Sequence, residues 1–167
     1  MLRYYITDRN AIGGELPLLR NIERLGVDID LIQVRERDLC ARNLARLVAA
    51  VRAAAHPRVR VLVNDRTDVA LACGVDGVHL RSNSIGADEM RRLLPPNSVI
   101  SVACHSVEEV RAAARQGADM ALLAPIFETP GKGPALGLGI LAEAARETVK
   151  VIALGGVTME NLSLIHI

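Results

Sequence analysis

The feature that most constrains the fold is a regular alternation of short β-branched runs with longer stretches rich in Ala, Leu and Arg. The short runs have the length and composition of strands, and the longer ones carry apolar residues at helical spacing, as in repeated βα units. We expect strands near Leu2–Thr7, Asp30–Arg35, Val59–Asn64, Gly77–Leu80, Val99–Ala103, Met120–Pro125 and Lys150–Leu154. We expect helices near Leu16–Leu25, Ala41–Ala55, Asp68–Cys73, Ala87–Leu93, Val107–Gln116 and Ile140–Thr148. Only 2% of the residues are aromatic although 50% are hydrophobic, so the core must consist of Val, Ile, Leu and Ala, as suits buried parallel strands.

A repeated tripeptide marks the ends of three predicted helices. Gly26-Val27-Asp28, Gly74-Val75-Asp76 and Gly117-Ala118-Asp119 each precede a predicted strand, and glycine suits the left-handed position that closes a helix. The repeat recurs at the distance of two βα units, which predicts either a closed barrel or an open doubly wound sheet. The first βα turn, Asp8–Gly14, lacks the dinucleotide-binding fingerprint of an open sheet. Polar residues also end nearly every strand, and both features favour a (β/α)8 TIM barrel.

The predicted strands number seven, one fewer than a closed barrel needs. We therefore expect the barrel to be truncated before the eighth strand, with an incomplete barrel domain over residues 1–161. The last six residues, 162–167, match in frame the translation of a sequencing-adapter end. We interpret them as a non-native tail, which includes His166.

Composition excludes several function classes. The formal net charge is +1, which indicates neither a nucleic-acid partner nor an anionic membrane. The three cysteines are widely spaced, as in a reducing cytoplasm. No apolar run approaches the ~20 residues of a membrane span. The sequence leaves the oligomeric state open.

The second predicted strand ends in a cationic segment. Side chains alternate along a strand, so Gln33, Arg35 and Arg37 share one face. Two guanidinium groups at a strand end suggest an anion site, because Arg makes forked contacts with phosphate. The alternative is that these arginines pair with nearby carboxylates, namely Glu36, Asp38 or Asp65.

The third predicted strand ends at Asn64 and Asp65. An amide and a carboxylate there suit a diphosphate and its Mg²⁺, which prefers carboxylate and phosphate oxygens. The alternative is that one of the two residues caps the following helix.

Two loops carry the remaining binding candidates. The loop after the sixth strand is rich in Gly and Pro and carries Thr129 and Lys132, one of only two lysines in the chain. The loop after the seventh strand contains Gly155-Gly156, where bare N–H groups could approach a phosphate, although tight turns use glycine pairs as well.

Two histidines lie at strand positions. His79 is predicted to be a packed core residue, whereas His105 follows the fifth strand and suits proton transfer. Cys104 is a poor nucleophile candidate because neighbours on a strand point to opposite faces. No cluster has the spacing of a zinc site.

Together these segments resemble the thiamine phosphate synthase and thiazole tautomerase family. The most specific matches are Gln33–Arg37, Val63–Asp65 with Gly77–Leu80, and Phe127–Lys132. The resemblance implies an enzyme that joins a hydroxymethylpyrimidine diphosphate to a thiazole phosphate with release of diphosphate. It implies that the pyrimidine diphosphate is held by Gln33, Arg35, Arg37, Asn64 and Lys132. Asp65 would then bind Mg²⁺, while Thr129 and Gly156 would hold the thiazole phosphate. We assign catalytic roles to Lys132, Arg35 and His105.

The chain departs from the family pattern at four positions. Arg37 replaces a Lys, Ser84 a second metal-binding Asp, Ala103 a diphosphate-binding Ser, and Gly131 a Thr. Two alternatives therefore remain open beside the synthase. One is a metal-independent thiazole tautomerase using His105, and the other is a non-catalytic barrel that binds thiazole or thiamine phosphate.

Overall fold

The computed structural model describes residues 2–165; His166, in the predicted tail, lies outside them. Seven strands alternate with six α-helices over this range. The strands are β1 Tyr4–Ile6, β2 Leu31–Val34, β3 Arg60–Asn64, β4 Gly77–Leu80, β5 Val99–Cys104, β6 Met120–Leu123 and β7 Lys150–Ala153. The helices are α1 Glu15–Leu25, α2 Ala41–Ala54, α3 Thr67–Cys73, α4 Ala87–Leu93, α5 Val107–Arg115 and α6 Gly137–Ala144. Two 3-10 helices occupy Gly26–Asp28 and Leu162–Ile165.

The chain forms two compact units. The first contains the residues up to His79 together with Leu94–Val99, and the second contains Leu80–Leu93 and the residues from Ile100 onward. In the first unit, β1 to β4 pair in parallel in chain order, and the pairing aligns Ile6 with Gln33 and Gln33 with Leu62. In the second unit, β6 pairs in parallel with β5 and β7. The all-parallel pairing agrees with the βα repeat read from the sequence.

Helical spacing of apolar residues explains how the helices cover the strands. In α2 the buried residues Leu44, Leu47, Val48 and Val51 recur at the three- and four-residue intervals of one helix face. In the second unit α5 buries Val107, Val110 and Ala113, in a core cluster that also contains Cys104 and Leu123 from the strands. None of the helices in the described range has the length and apolar character required to cross a membrane.

The glycine repeat ends helices as predicted. Gly26, Gly74 and Gly117 have φ values of +46°, +58° and +75°, which only glycine adopts without steric cost. An aspartate soon after each glycine anchors the chain to the start of the preceding strand. Asp76 donates its N–H to Val61 O at 3.0 Å and accepts from Val61 N–H at 2.7 Å through Oδ2.

Asp119 forms the same pair of bonds with Ile100. In the first copy, Asp30 rather than Asp28 forms the pair, with Arg3. The 3-10 turn over Gly26–Asp28 accounts for the two-residue shift. The tripeptide is therefore a helix stop followed by a strand anchor.

The last helix differs most from its predicted bounds. It begins at Gly137, three residues before the predicted Ile140, and ends at Ala144 rather than Thr148. Its start is set by backbone bonds from Leu136 to Pro125 O and from Gly137 to Ile126 O. These bonds to the loop after β6 outweigh the low helix propensity of the two glycines.

Candidate active site

In the first unit, the register of the strands places three polar residues on one face. Gln33 aligns with Leu62, and Asn64, two residues further along β3, aligns with His79 on β4. Because side chains alternate along a strand, Gln33, Asn64 and His79 point to the same side. Gln33 Nε2 donates to Asn64 Oδ1 at 2.9 Å, so the two predicted binding residues are in direct contact.

Gln33 retains an unused acceptor. Its side chain is buried, and Oε1 has no hydrogen-bond partner among residues 2–165. A buried polar atom without a partner is costly, and an N–H donor on a ligand would remove that cost. The prediction that Gln33 binds a ligand is consistent with this geometry.

His79 is buried at 5% exposure, as predicted for a packed residue. Burial and, to a smaller extent, the positive charge of Arg35 lower its pKa to about 4, although the negative charge of Asp65 partly opposes them. The imidazole is therefore neutral at physiological pH.

Arg35 and Arg37 are not paired with the neighbouring carboxylates. Two of the three candidates, Glu36 and Asp38, bind Arg9 from the loop after β1. Within the described part of the chain, neither Arg35 nor Arg37 has a carboxylate in ion-pair range. The described residues therefore do not form the salt bridges that were the alternative interpretation of these two arginines.

Arg9 is the residue that sequence reasoning missed. The available signal was a cation in the loop after β1, next to a strand that is followed by two carboxylates. Its guanidinium lies 2.8 Å from Glu36 Oε2 and 2.7 Å from Asp38 Oδ1. These bonds lower the pKa of Asp38 to about 2.

Asp65 adopts a left-handed backbone conformation at the end of β3, with φ +60°. Aspartate tolerates this region better than most residues, and its N–H donates to His79 O at 2.8 Å. The helix α3 begins after Arg66, whose side chain makes no cap hydrogen bond. No group of three or more His, Cys, Asp and Glu residues that could hold a metal ion occurs within residues 2–165. Asp65 supplies a carboxylate of the type that Mg²⁺ prefers.

In the second unit, the loop after β6 forms a compact turn against the end of β7. Ile126 and Phe127 donate their N–H groups to Leu154 O and Gly155 O at 2.9 and 3.1 Å. Thr129 Oγ1 donates to Phe127 O at 2.9 Å, and its oxygen remains able to accept a further bond. Lys132 is exposed and forms no ion pair with any described residue.

Gly155 and Gly156 are required for this contact. A Cβ on Gly156 would lie 2.5 Å from Glu128 O and 2.8 Å from Phe127 Cβ, and one on Gly155 would lie 2.8 Å from Pro125 Cα. Both glycines also have positive φ, +88° and +63° in chain order. The Gly156 N–H donates to no acceptor in the described range, which leaves it available for the predicted phosphate contact.

The ring of His105 is exposed and held in one orientation. Its Nδ1 lies 2.8 Å from Ala124 O. A carbonyl only accepts, so Nδ1 carries the proton and Nε2 of the neutral ring is free to accept one. Cys104 points the other way, into the core, where burial raises the pKa of its thiol to about 12. This confirms that Cys104 is no activated nucleophile.

Two positions that depart from the family pattern line one cavity. Ser84 and Ala103 border a space of about 170 Å³ in the second unit, together with Arg81, Cys104, Glu109 and Gln116. Ser84 Oγ accepts from the Arg81 N–H at 3.2 Å, so the serine stabilises its own loop. Gly131, the fourth departure, lies in an exposed turn at φ +73° with no atom within 4 Å of a built Cβ.

Comparison with known proteins agrees with the family resemblance found in the sequence. The family described as thiamine monophosphate synthase matches residues 3–166. A putative thiamine-phosphate synthase of Geobacter sulfurreducens is 40% identical over 95% of this chain and 77% of its own length. A putative thiamine-phosphate synthase 2 of Aquifex aeolicus is 37% identical over 98% of this chain and 89% of its own length.

A solved structure provides the test of the fold. A thiamine phosphate pyrophosphorylase from Pyrococcus furiosus aligns with a TM-score of 0.86 at 27% identity, over 98% of this chain and 79% of that one. The predicted fold class, a TIM-type (β/α) fold, is therefore confirmed. On the sequence and structural matches together, the chain belongs to the thiamine monophosphate synthase family.

Proposed function

We propose that this protein is a thiamine-phosphate synthase, a transferase that joins a pyrimidine diphosphate to a thiazole phosphate. The bond between the pyrimidine methylene carbon and the diphosphate oxygen breaks, and the diphosphate leaves with the electron pair. The thiazole nitrogen supplies the electron pair for the new C–N bond, so the reaction needs no oxidant and no added nucleophile.

The observation that carries the proposal is that, among residues 2–165, neither Arg35 nor Arg37, which follow β2, forms an ion pair with a carboxylate. Diphosphate departure develops negative charge, and preorganised cations stabilise such charge most strongly. With no carboxylate partner in the described part of the chain, Arg35 and Arg37 are assigned to the diphosphate, and Lys132 is assigned to it as well. Lys132 and Arg35 are the proposed catalytic cations.

The remaining assignments follow the chemistry of each group. The open Oε1 of Gln33, fixed by Asn64, accepts an N–H on the pyrimidine. The Thr129 oxygen and the Gly156 N–H are assigned to the thiazole phosphate, since backbone N–H groups at such turns bind phosphate.

Asp65 is the proposed Mg²⁺ ligand. Mg²⁺ commonly binds through one or two carboxylates, substrate phosphates and several waters, and a single protein carboxylate fits that pattern. When bound, the ion neutralises charge on the diphosphate. Asp65 fixes where that neutralisation occurs, and Arg35 and Arg37 act on the same charge from the protein.

The test is diphosphate release by the full chain from the pyrimidine diphosphate, with the thiazole phosphate and varied Mg²⁺. We expect release coupled one to one with thiamine phosphate formation. Ser84→Asp, which adds a carboxylate, should lower the Mg²⁺ concentration that gives half-maximal rate; Ser82→Asp, in the same exposed loop, is the matched control. If neither the parent nor Ser84→Asp releases diphosphate at any Mg²⁺ concentration, the synthase proposal is wrong.

A second candidate function, thiazole tautomerisation, is favoured by one observation. The Nδ1 proton of His105 is committed to Ala124 O, so Nε2 is available to move a proton on a bound ligand. The tautomerase assay, run without metal, distinguishes the two: turnover that His105→Ala abolishes would support this candidate. Binding of thiazole phosphate without turnover in either assay would indicate a non-catalytic binding protein.

A further inference from the structure

The segment after β2 alternates charges in a way that should weaken an anion site. Arg35 and Arg37 are followed directly by Glu36 and Asp38. A carboxylate one residue away from a guanidinium is a competing partner for it, and it also repels a bound diphosphate. Both effects act against the function proposed above unless something removes the carboxylates.

Arg9 binds both carboxylates at once. Its Nη1 lies 2.8 Å from Glu36 Oε2 and 2.7 Å from Asp38 Oδ1, and its Nη2 donates to Asp38 Oδ2. The backbone N–H of Arg9 also donates to Glu36 Oε1 at 3.0 Å. The loop after β1 therefore holds Glu36 through its backbone and its side chain, and Asp38 through two nitrogens of one guanidinium.

Burial makes this arrangement difficult to exchange. The side chain of Glu36 is only 3% exposed and that of Arg9 only 16%, whereas Asp38 is 54% exposed. For Glu36 to pair with Arg35 or Arg37, both of its hydrogen bonds to Arg9 would have to break, one from the backbone N–H and one from the guanidinium. Nearby, Thr7 Oγ1 accepts from the Arg35 N–H at 3.0 Å, which fixes the backbone at the same point.

We propose that Arg9 is a positioning residue that sequesters Glu36 and Asp38 and so keeps the guanidinium groups of Arg35 and Arg37 available to a diphosphate. The inference deepens the proposed function and rests on its assignment of the anion to Arg35 and Arg37. Arg9 itself does not contact the anion. Its effect is transmitted through the two carboxylates, and that distinction can be tested.

The test measures the affinity of the full chain for inorganic pyrophosphate by calorimetry, with the same Mg²⁺ concentration for every variant. Arg9→Met should weaken pyrophosphate binding by about 10- to 100-fold, because two carboxylates are released toward the site. Arg9→Met/Glu36→Gln/Asp38→Asn removes those carboxylates as well and should restore affinity to the parental level or better. This triple variant buries no unpaired charge, so it also answers the question if Arg9→Met alone fails to fold.

Arg3→Met is the matched control. Arg3 pairs with Asp28 and Asp30 near the starts of the same two strands, and its loss should leave pyrophosphate affinity unchanged. The inference is overturned if the triple variant stays as weak as Arg9→Met, since Arg9 would then contact the anion, or if the parent does not bind pyrophosphate.

The inference and the proposed function can fail separately. Rescue of pyrophosphate binding in a protein without synthase turnover would support the role of Arg9 and refute the synthase. Synthase turnover in a protein whose pyrophosphate affinity is unchanged by these substitutions would support the synthase and refute the role of Arg9. In an active enzyme, Arg9→Met should raise KM for the pyrimidine diphosphate more than it lowers kcat.

Discussion

The contact between the turn after β7 and the loop after β6 makes Gly156→Ala the most informative single substitution. An added Cβ would lie 2.5 Å from Glu128 O, 2.8 Å from Phe127 Cβ and 2.9 Å from Phe127 C. Two of these three atoms are backbone atoms, so a side-chain rotation cannot relieve the overlap. The residue also has φ +63°, where alanine is strained.

The two contributions have separate magnitudes. The left-handed conformation costs a non-glycine residue about 1–2 kcal/mol, and forcing an extra methyl into a filled space costs about 1–3 kcal/mol. We therefore expect Gly156→Ala to lower the free energy of unfolding by about 2–5 kcal/mol. For a chain of this size each kcal/mol corresponds to roughly 2–4 °C in Tm.

Gly117→Ala isolates the conformational part. Gly117 has φ +75° and no atom within 4 Å of a built Cβ, so its substitution should cost only about 1–2 kcal/mol. Urea unfolding of both variants, followed by far-UV circular dichroism, measures the difference. If Gly156→Ala costs no more than Gly117→Ala, the two loops are not in the close contact described and the reasoning is refuted.

Three further predictions concern single side chains. Lys132→Ala should slow diphosphate release by an amount equivalent to about 2–4 kcal/mol with an unchanged Tm, because Lys132 is exposed and forms no ion pair with the residues that the structure describes. Equal losses of activity and Tm would contradict it. The pKa of His79 is lowered to about 4 in the folded protein. The stability that depends on a neutral His79 is therefore fully present above the unfolded pKa of about 6.5 and is lost as the pH falls toward 4. Unfolding at pH 7 and pH 5 should show the parent losing about 2 kcal/mol more than His79→Gln; equal losses would mean that His79 charges freely in the folded state. Cys40 should react with a thiol reagent in the native protein, whereas Cys104 should react only on unfolding. Cys104 is buried, and burial raises the pKa of its thiol to about 12. A fast reaction of the native Cys40→Ser/Cys73→Ser variant would contradict this prediction.

Much of the fold was readable from local signals. Periodicity located all seven strands and six helices of the described range, because burial on one helix face or on both strand faces imposes its own spacing. The glycine repeat was correctly read as a helix stop, since only glycine adopts that backbone conformation without cost. The anchoring role of Asp76 and Asp119 was not read, because it depends on hydrogen bonds to a preceding strand.

The candidate site, like the fold, was predicted from the sequence only in part. Gln33 and Asn64 were named from strand ends and lie in contact, since strand register follows from the hydrophobic pattern. The partners of charged side chains were not predictable. Sequence proximity left open the alternative that Glu36 and Asp38 pair with Arg35 and Arg37, whereas both carboxylates bind Arg9, 27 and 29 residues away.

The sequence by itself determined the βα alternation, the helix stops, the family resemblance and the set of polar strand ends, because each is written in local spacing or residue type. Only the tertiary structure decided which charges are paired, which nitrogen of His105 carries its proton, and that Gly155 and Gly156 admit the loop after β6. An ion pair, a tautomer and a close backbone approach are each set by what lies across space from a residue. That neighbour is fixed only when distant segments of the chain pack together.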